Sequence, residues 1–557
     1  MNALPPLRPN RVVGQEILLV LLSMLPIYAV YASHLWRADA TGFIQYDMPY
    51  YVANGREVFD RGGTLLHASP YDPDPHAPAI YFHWLTFALG VGVTQLGIDP
   101  GVLYVSVGLV AGLVGGWLTL KIVQHLVPNS VDQYLLFLLT MWGGGLMVAG
   151  KMAANVVSGE PLLAKLLAFD PADGWWFMDW GRNFLYPTES VYHALVAGAW
   201  LCVLRGRNWT AVGLVTLLAA THPFSGLQHL LVLGSWNLVQ LVKGRQIAAL
   251  WRGLTLTAVL AAFLGYYFVF LEQSATHREL RQLWSLAWIV PNHTLMLAYG
   301  PIAIFAAWQW SKSKDEFKPE TWFFATAFVV SLLLAKHDWF VNPRQPVHFT
   351  RGYVWLPLML LSLPLLASGL QYMRERWPNW QRLAVLGSCG FLAVSDNLAF
   401  YADTLGLGKE KSSLGLYLPP QARDMFAWMN SEQLQGVLLA PNEDLSYLSA
   451  TYTAVRPYYG HRFNTPDLPR RWNELDAWNL KGKSGPWLNT IDYLLIALKE
   501  RPQGFRAEDW HLLRENNRYA LYERVKSNSP APAIPSNQPV SKAADEPIDA
   551  IGSSSTN

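Results

Sequence analysis

Apolar residues recur along this chain in long runs. They fill residues 17–33, 81–97, 101–120, 132–150, 189–204, 254–271, 294–309, 321–335, 353–370 and 383–400. A helix rises about 1.5 Å per residue, so roughly 20 apolar residues cross a bilayer core of about 30 Å. The pattern therefore predicts a mainly α, polytopic membrane protein with about 10–12 transmembrane helices.

The pattern breaks at two places. Residues 152–169 are weakly apolar and contain Glu160 and Lys165. They are read either as a further span or as a re-entrant helix facing a cavity, where polar groups are tolerated. In 211–241, Thr221-His222-Pro223 interrupts the run, and proline breaks a helix near its own position. The 11 residues before that break rise about 16 Å, too little to cross the core. A short helix ending in His-Pro at that depth must face protein or a water-filled cavity, and Ser225, Gln228 and His229 follow closely.

After Tyr401 the pattern changes to that of a small soluble domain. An amphipathic helix is expected at 421–430, with strands at 436–440, 492–498 and 519–524. The chain then divides into a membrane domain (1–400, with a large first outer loop at 34–80), an α/β domain (401–525) and a disordered tail (526–557) rich in Ser, Pro, Ala and Asn.

Composition sharpens this picture. The 557 residues are 52% hydrophobic and 15% charged, with 25 Trp. An ordinary soluble enzyme carries nearer a quarter charged residues. The net charge of +2 gives no electrostatic footprint for nucleic acid. Two cysteines in apolar segments, Cys202 and Cys389, offer no disulfide framework. Basic residues concentrate in loops around Arg205, Lys243, Lys312 and Arg374. Placing these in the cytoplasm puts the N-terminus there too, and leaves 34–80, 272–293, 336–352 and the C-terminal domain outside. The first apolar segment reads as a retained anchor rather than a cleaved signal.

Candidate chemistry gathers in three outer stretches. The loop 34–80 has no lysine, and its acids include Asp47, a few residues beyond the first span. A carboxylate there can accept a proton from a hydroxyl. Asp72 and Asp74 leave a divalent metal open, although the prolines around them favour simple turns. The second stretch, residues 169–183, mixes tryptophans, acids and Arg182, as either an interfacial aromatic belt or a sugar site. Glu189, just beyond it, reads equally as a helix-start residue or a ligand. The third stretch, 336–353, carries Arg344, His348 and Arg351. Arginine binds phosphate bidentately, and juxtamembrane charge is often functional.

With Tyr46-Asp47-Met48-Pro49-Tyr50-Tyr51 after the first helix, the chain resembles the GT-C superfamily of integral membrane glycosyltransferases. These share a many-helix membrane domain, a large first outer loop with an early acid, and often an outer C-terminal domain. The resemblance implies that Asp47 is the catalytic base and that the donor is a polyprenyl-phosphate-linked sugar. It departs from subfamilies with a second acid beside the first, because Met48 stands there, and 169–183 holds no clean Asp-x-Asp. The expected function is inverting transfer to a glycan, lipid or protein acceptor at the outer face of the inner membrane. Arg344, His348 and Arg351 would hold the leaving phosphate, with Arg182 and His222 beside the lipid-carrier cleft. The rival readings are a transporter or lipid flippase, suggested by the His222-Pro223 break, and a non-catalytic envelope assembly protein.

Overall fold

The computed structural model describes residues 10–60, 64–128, 131–171, 178–284, 287–313, 316–407 and 414–525. The expected tail at 526–557 lies outside them, as do residues 172–177 of the second outer stretch. The described chain is mainly helical, with one five-stranded sheet near its C-terminal end.

The first apolar run forms α1 (Asn10–Ser23) and α2 (Leu25–Leu35), bent by 51° at Met24. The outer loop contains α3 (Met48–Asp60), a hairpin of β1 (Leu66–His67) and β2 (Tyr81–Phe82), and α4 (Trp84–Gly90). Next comes α5 (Pro100–Leu126), whose Asp99 caps it by accepting from the N–H groups of Gly101 and Val102.

The following run does not make one helix. It splits into α6 (Gln133–Trp142) and α7 (Met147–Ser158), bent by 58° at Gly143-Gly144-Gly145. A Cβ on Gly145 would lie 2.2 Å from the Leu297 carbonyl oxygen, so a side chain there would push neighbouring backbone away. α7 ends at Ser158, capped by Gly159 in the left-handed region at φ 72°. Residues 159 and 162–169 form turns. Of the stretch 152–169, read as a further span or a re-entrant helix, residues 152–158 are helical as the end of α7 and the remainder is not. The irregular element is the broken pair one run earlier, and glycine rather than charge sets the break.

α8 (Pro187–Leu204) packs closely on α5, where a Cβ on Gly108 would meet Pro187 at 2.7 Å and one on Gly115 would meet Phe184 at 2.4 Å. α9 (Asn208–Ala219) and α10 (Pro223–Val242) form the hairpin expected around His222-Pro223. Then follow α11 (Ala248–Gly265), α12 (Ala275–Leu283), α13 (Asn292–Ser313), α14 (Pro319–Ala335), α15 (Trp355–Arg376) and α16 (Asn379–Leu407).

Among the described residues, four helices are long and apolar enough to cross a membrane, or six if each bent pair is one span. That is fewer than the apolar runs suggest. α9 and α14 are short, and α8 and α10 bury His193, Gln228 and His229 along their lengths. The architecture is that of a multi-pass membrane protein whose helices are interrupted around polar groups.

The C-terminal part carries α17 (Pro420–Ser431), β3 (Val437–Leu439), α18 (Glu443–Tyr452), β4 (Arg456–Pro457), α19 (Leu468–Lys481), β5 (Tyr493–Ala497), β6 (Trp510–Glu515) and β7 (Tyr519–Arg524). The sheet order is β4-β3-β5-β7-β6, with β3 parallel to β4 and β5, and β7 antiparallel to β5 and β6. Strand alternation divides its core. Leu438, Leu495 and Leu521 join a cluster continuous with the helical domain, alongside Met425 and Leu448 of α17 and α18. Leu439, Leu494 and Ile496 pack the other way onto Leu475 and Trp478 of α19. The sheet is thus seated on the helical domain. Residues 39–41 seal the join: Thr41 N–H donates to the Leu416 carbonyl at 3.0 Å, and Leu418 N–H to that of Asp39 at 2.7 Å.

Candidate functional site

α3, the 222–224 turn, the 336–353 stretch and a loop of the C-terminal part enclose a cavity of about 1190 Å³. Asp47, His222, Arg344, His348 and Arg351 all line it, and so does Glu189. Arg182 does not.

Asp47 sits one residue before α3. The side chain of Gln45 folds over it: Gln45 Nε2 donates to Asp47 Oδ2 at 3.0 Å, and Asp47 N–H donates to Gln45 Oε1 at 3.0 Å. The other carboxylate oxygen meets an unforeseen partner, His461 Nε2 of the C-terminal part, at 3.0 Å. Asp47 lies deep within the protein, yet 47% of its side chain stays accessible because it faces the cavity. Burial pushes its carboxyl upward, but the His461 and Gln45 hydrogen bonds outweigh this and hold it below the ordinary value. The group is a carboxylate at neutral pH.

Three basic side chains of the cavity differ in what they touch. Arg351 forms an ion pair with Glu189 at the start of α8 and donates to His348 Nδ1 at 2.7 Å. Glu189 thus serves as its anchor. His348 lies flat on Phe224, with ring centroids 4.3 Å apart. Because its Nδ1 accepts from Arg351, His348 is neutral and carries its proton on Nε2. Burial lowers its pKa, against a smaller opposing effect of Asp47. It can donate one hydrogen bond to an anion but brings no positive charge. Arg344 is exposed at the cavity wall, its backbone N–H held by His337 Nε2 at 2.9 Å. Among the described residues no acid pairs with its guanidinium.

Backbone strain marks the same wall. Trp288 (φ 29°), Gln345 (φ 50°) and Arg351 (φ 29°) all line the cavity in the left-handed region. Such conformations cost of order 1–3 kcal/mol and persist where surrounding contacts impose them.

His222 caps α10, its Nδ1 accepting from Ser225 N–H at 3.2 Å, and stacks on Tyr192 at 4.7 Å. The sequence offered a satisfied buried histidine or a cavity residue, and His222 is both.

Arg182 is corrected. It is fully buried, 3.3 Å from Asp179, paired with Asp170, and donating to Asn397 Oδ1 at 2.8 Å. Beside this cluster, Asp396 accepts from the N–H groups of Met147 and Val148 at the start of α7. The charges brace the broken helix pair rather than a ligand. Asp72 and Asp74 form successive turns: Asp72 Oδ1 accepts from Asp74 N–H, and Asp74 Oδ1 from His76 N–H. Among the described residues no group of three or more His, Cys, Asp or Glu could hold a metal ion.

Sequence reasoning missed His461, Arg462 and Asn464, which bring the C-terminal part into the cavity. The available signal was local: Tyr458-Tyr459-Gly460-His461-Arg462-Phe463-Asn464 packs aromatic, basic and amide groups into one loop.

No family model matches the chain, and no curated protein matches it. Among solved structures it is similar to ArnT from Cupriavidus metallidurans in the apo state, at 12% identity and TM-score 0.46, covering 93% of this chain and 99% of that one. The same protein bound to undecaprenyl phosphate aligns at 11% identity and TM-score 0.45, over 93% and 99%. The oligosaccharyltransferase of Archaeoglobus fulgidus, tethered to an acceptor peptide, aligns at 10% identity and TM-score 0.40, over 87% and 69%. The arabinofuranosyltransferase AftD from Mycobacteria aligns at 14% identity and TM-score 0.47, over 94% of this chain and 40% of that one. At such identities the functional reading rests on the site itself.

Proposed function

We propose that this protein is an inverting membrane glycosyltransferase. It moves a sugar from a polyprenyl-phosphate carrier to a hydroxyl of a cell-envelope acceptor, at the outer face of the cytoplasmic membrane. The observation that carries this reading is the shared cavity. A clamped, ionised Asp47 opens into the same space as Arg344, Arg351 and the neutral donor His348.

The chemistry follows from that pairing. Asp47 accepts the proton of the acceptor hydroxyl as its oxygen bonds to the anomeric carbon. The bond from that carbon to the phosphate oxygen breaks, and its electron pair leaves with the polyprenyl phosphate. The arginines and the His348 Nε2–H stabilise the added negative charge. Base and phosphate-binding groups must flank one sugar, as the two carboxyls of inverting glycosidases flank theirs. Aromatic walls suit such a guest: Tyr50, Tyr51, Tyr266, Trp284 and Trp288 line the cavity and can cover sugar or isoprenoid faces. In this reading the N-terminus is cytoplasmic and the sheet-bearing part lies outside.

Mass spectrometry of lipid-linked sugars and envelope glycans, with and without the gene, tests the proposal. One glycan should lose a sugar while its loaded carrier accumulates. Identical carrier and glycan profiles would reject it.

A further inference from the structure

The loop that delivers His461 does more than close the cavity. His461 is 2% exposed and enclosed by four tyrosines, with ring centroids 4.6 Å from Tyr46, 5.1 Å from Tyr50, 5.6 Å from Tyr447 and 5.9 Å from Tyr71. Its Nδ1 accepts from the backbone N–H of Phe463 at 3.2 Å and from Asn464 Nδ2 at 2.9 Å. A backbone amide can act as donor alone. Nδ1 is therefore the unprotonated nitrogen, and Nε2 carries the hydrogen given to Asp47 Oδ1.

The segment holding Asp47 is tied to the same region. Tyr447 Oη donates to the Tyr46 carbonyl, Arg462 N–H donates to Tyr46 Oη at 2.6 Å, and Thr451 Oγ1 donates to the Pro49 carbonyl at 3.1 Å. The base stands at the end of the first helix pair, but its orientation is set some 414 residues later in the chain.

The geometry points to His461 as the positioning residue of the reaction: through Phe463 N–H, Nδ1 and Nε2–H it holds Asp47 Oδ1 while Gln45 holds Oδ2, leaving the remaining carboxylate lone pairs aimed into the cavity. The inference rests on the glycosyltransferase reading and deepens it. The C-terminal part becomes half of the catalytic base's support, so its contribution is to turnover rather than to docking a separate partner.

The groups facing Asp47 from the surrounding elements are His461, Gln45, His348, Arg351, Tyr46, Tyr50, Tyr51 and Tyr447. Of these, His461 makes the leading contribution to keeping the carboxyl low. A depressed carboxyl is ionised from below its ordinary value upward, so the acid limb of activity lies low in the wild type. Losing the Nε2–H donor lets the carboxyl rise and moves that limb to higher pH.

The test uses the full-length, detergent-purified chain with a panel of polyprenyl-phosphate hexoses and pentoses, and polyprenyl phosphate itself as the binding probe. His461→Ala should lower kcat by about ten- to a hundredfold, the loss of one charge-assisted hydrogen bond. KM for the donor and polyprenyl-phosphate affinity should change less than about threefold, and the acid limb should move up. His461→Gln, which returns an N–H near the Nε2 position, should restore most of kcat and the low acid limb. Wild-type kcat with an unmoved acid limb in His461→Ala, beside an inactive Asp47→Asn, would overturn the positioning role and leave the glycosyltransferase reading standing. Transfer by Asp47→Asn would overturn that reading instead. Should His461→Ala also lose polyprenyl-phosphate binding, His461→Gln decides, and its failure to recover both kcat and the acid limb rejects the proposal.

Discussion

Arg182 and Arg344 are both arginines in aromatic-rich, juxtamembrane segments, and they have opposite fates. Arg182 has 0% exposure and is closed off by Asp170, Asp179 and Asn397, with Phe400 4.8 Å away beneath its guanidinium. Arg344 is exposed in the large cavity, with no acid on it among the described residues. A charge in or beside a membrane domain has two uses, and its partners decide between them. One enclosed by the fold's own acids and shut away from the cavity braces the fold. One left facing space is available to an anion from outside.

The sharpest way to break this contrast is to remove Arg182. Arg182→Ala leaves Asp170 and Asp179 buried without their counter-charge, which should cost about 3–5 kcal/mol. Thermal unfolding in detergent should show a large fall in Tm or no folded protein. Retained stability with lost donor binding would return Arg182 to the substrate site. The next largest effect is expected at Arg344. Arg344→Ala should weaken polyprenyl-phosphate binding by about 1.5 kcal/mol, roughly tenfold, with Tm nearly unchanged. Arg344→Lys should recover little of it, because a point charge cannot reproduce the planar fork. A Tm loss as large as that of Arg182→Ala would erase the distinction. The smallest effect belongs to Asp74→Asn, whose amide oxygen still accepts from His76 N–H; stability should move by less than about 0.5 kcal/mol. A loss of activity there, reversed by added divalent cation, would mark Asp74 as a ligand.

Local pattern was legible in the sequence. The His222-Pro223 break and the strands at 437–439, 493–497 and 519–524 follow from proline chemistry and side-chain periodicity. Convergence was only partly legible. Asp47, Arg344, His348 and Arg351 could be nominated because each combines a charged or polar group with an outer loop. The partner of each could not. Whether an arginine meets Glu189, Asp170 or open space depends on packing between segments far apart in sequence, and no periodicity encodes it. The Asp47–His461 bond shows the same limit most plainly, since His461 sits in an irregular loop after a two-residue strand. The triple glycine at 143–145 was visible but was read as part of a continuous run, because glycine is common in membrane helices.

The central claim is that Asp47 acts on a sugar whose phosphate lies against the cavity cations. Asp47→Asn tests it most directly, with transfer from a polyprenyl-phosphate sugar and binding of polyprenyl phosphate measured on the same purified sample. The amide keeps the size of the side chain but cannot take the proton. Transfer should fall by about 10²–10⁴-fold while binding and Tm hold. Transfer at the wild-type rate, or binding lost together with transfer, would contradict the claim.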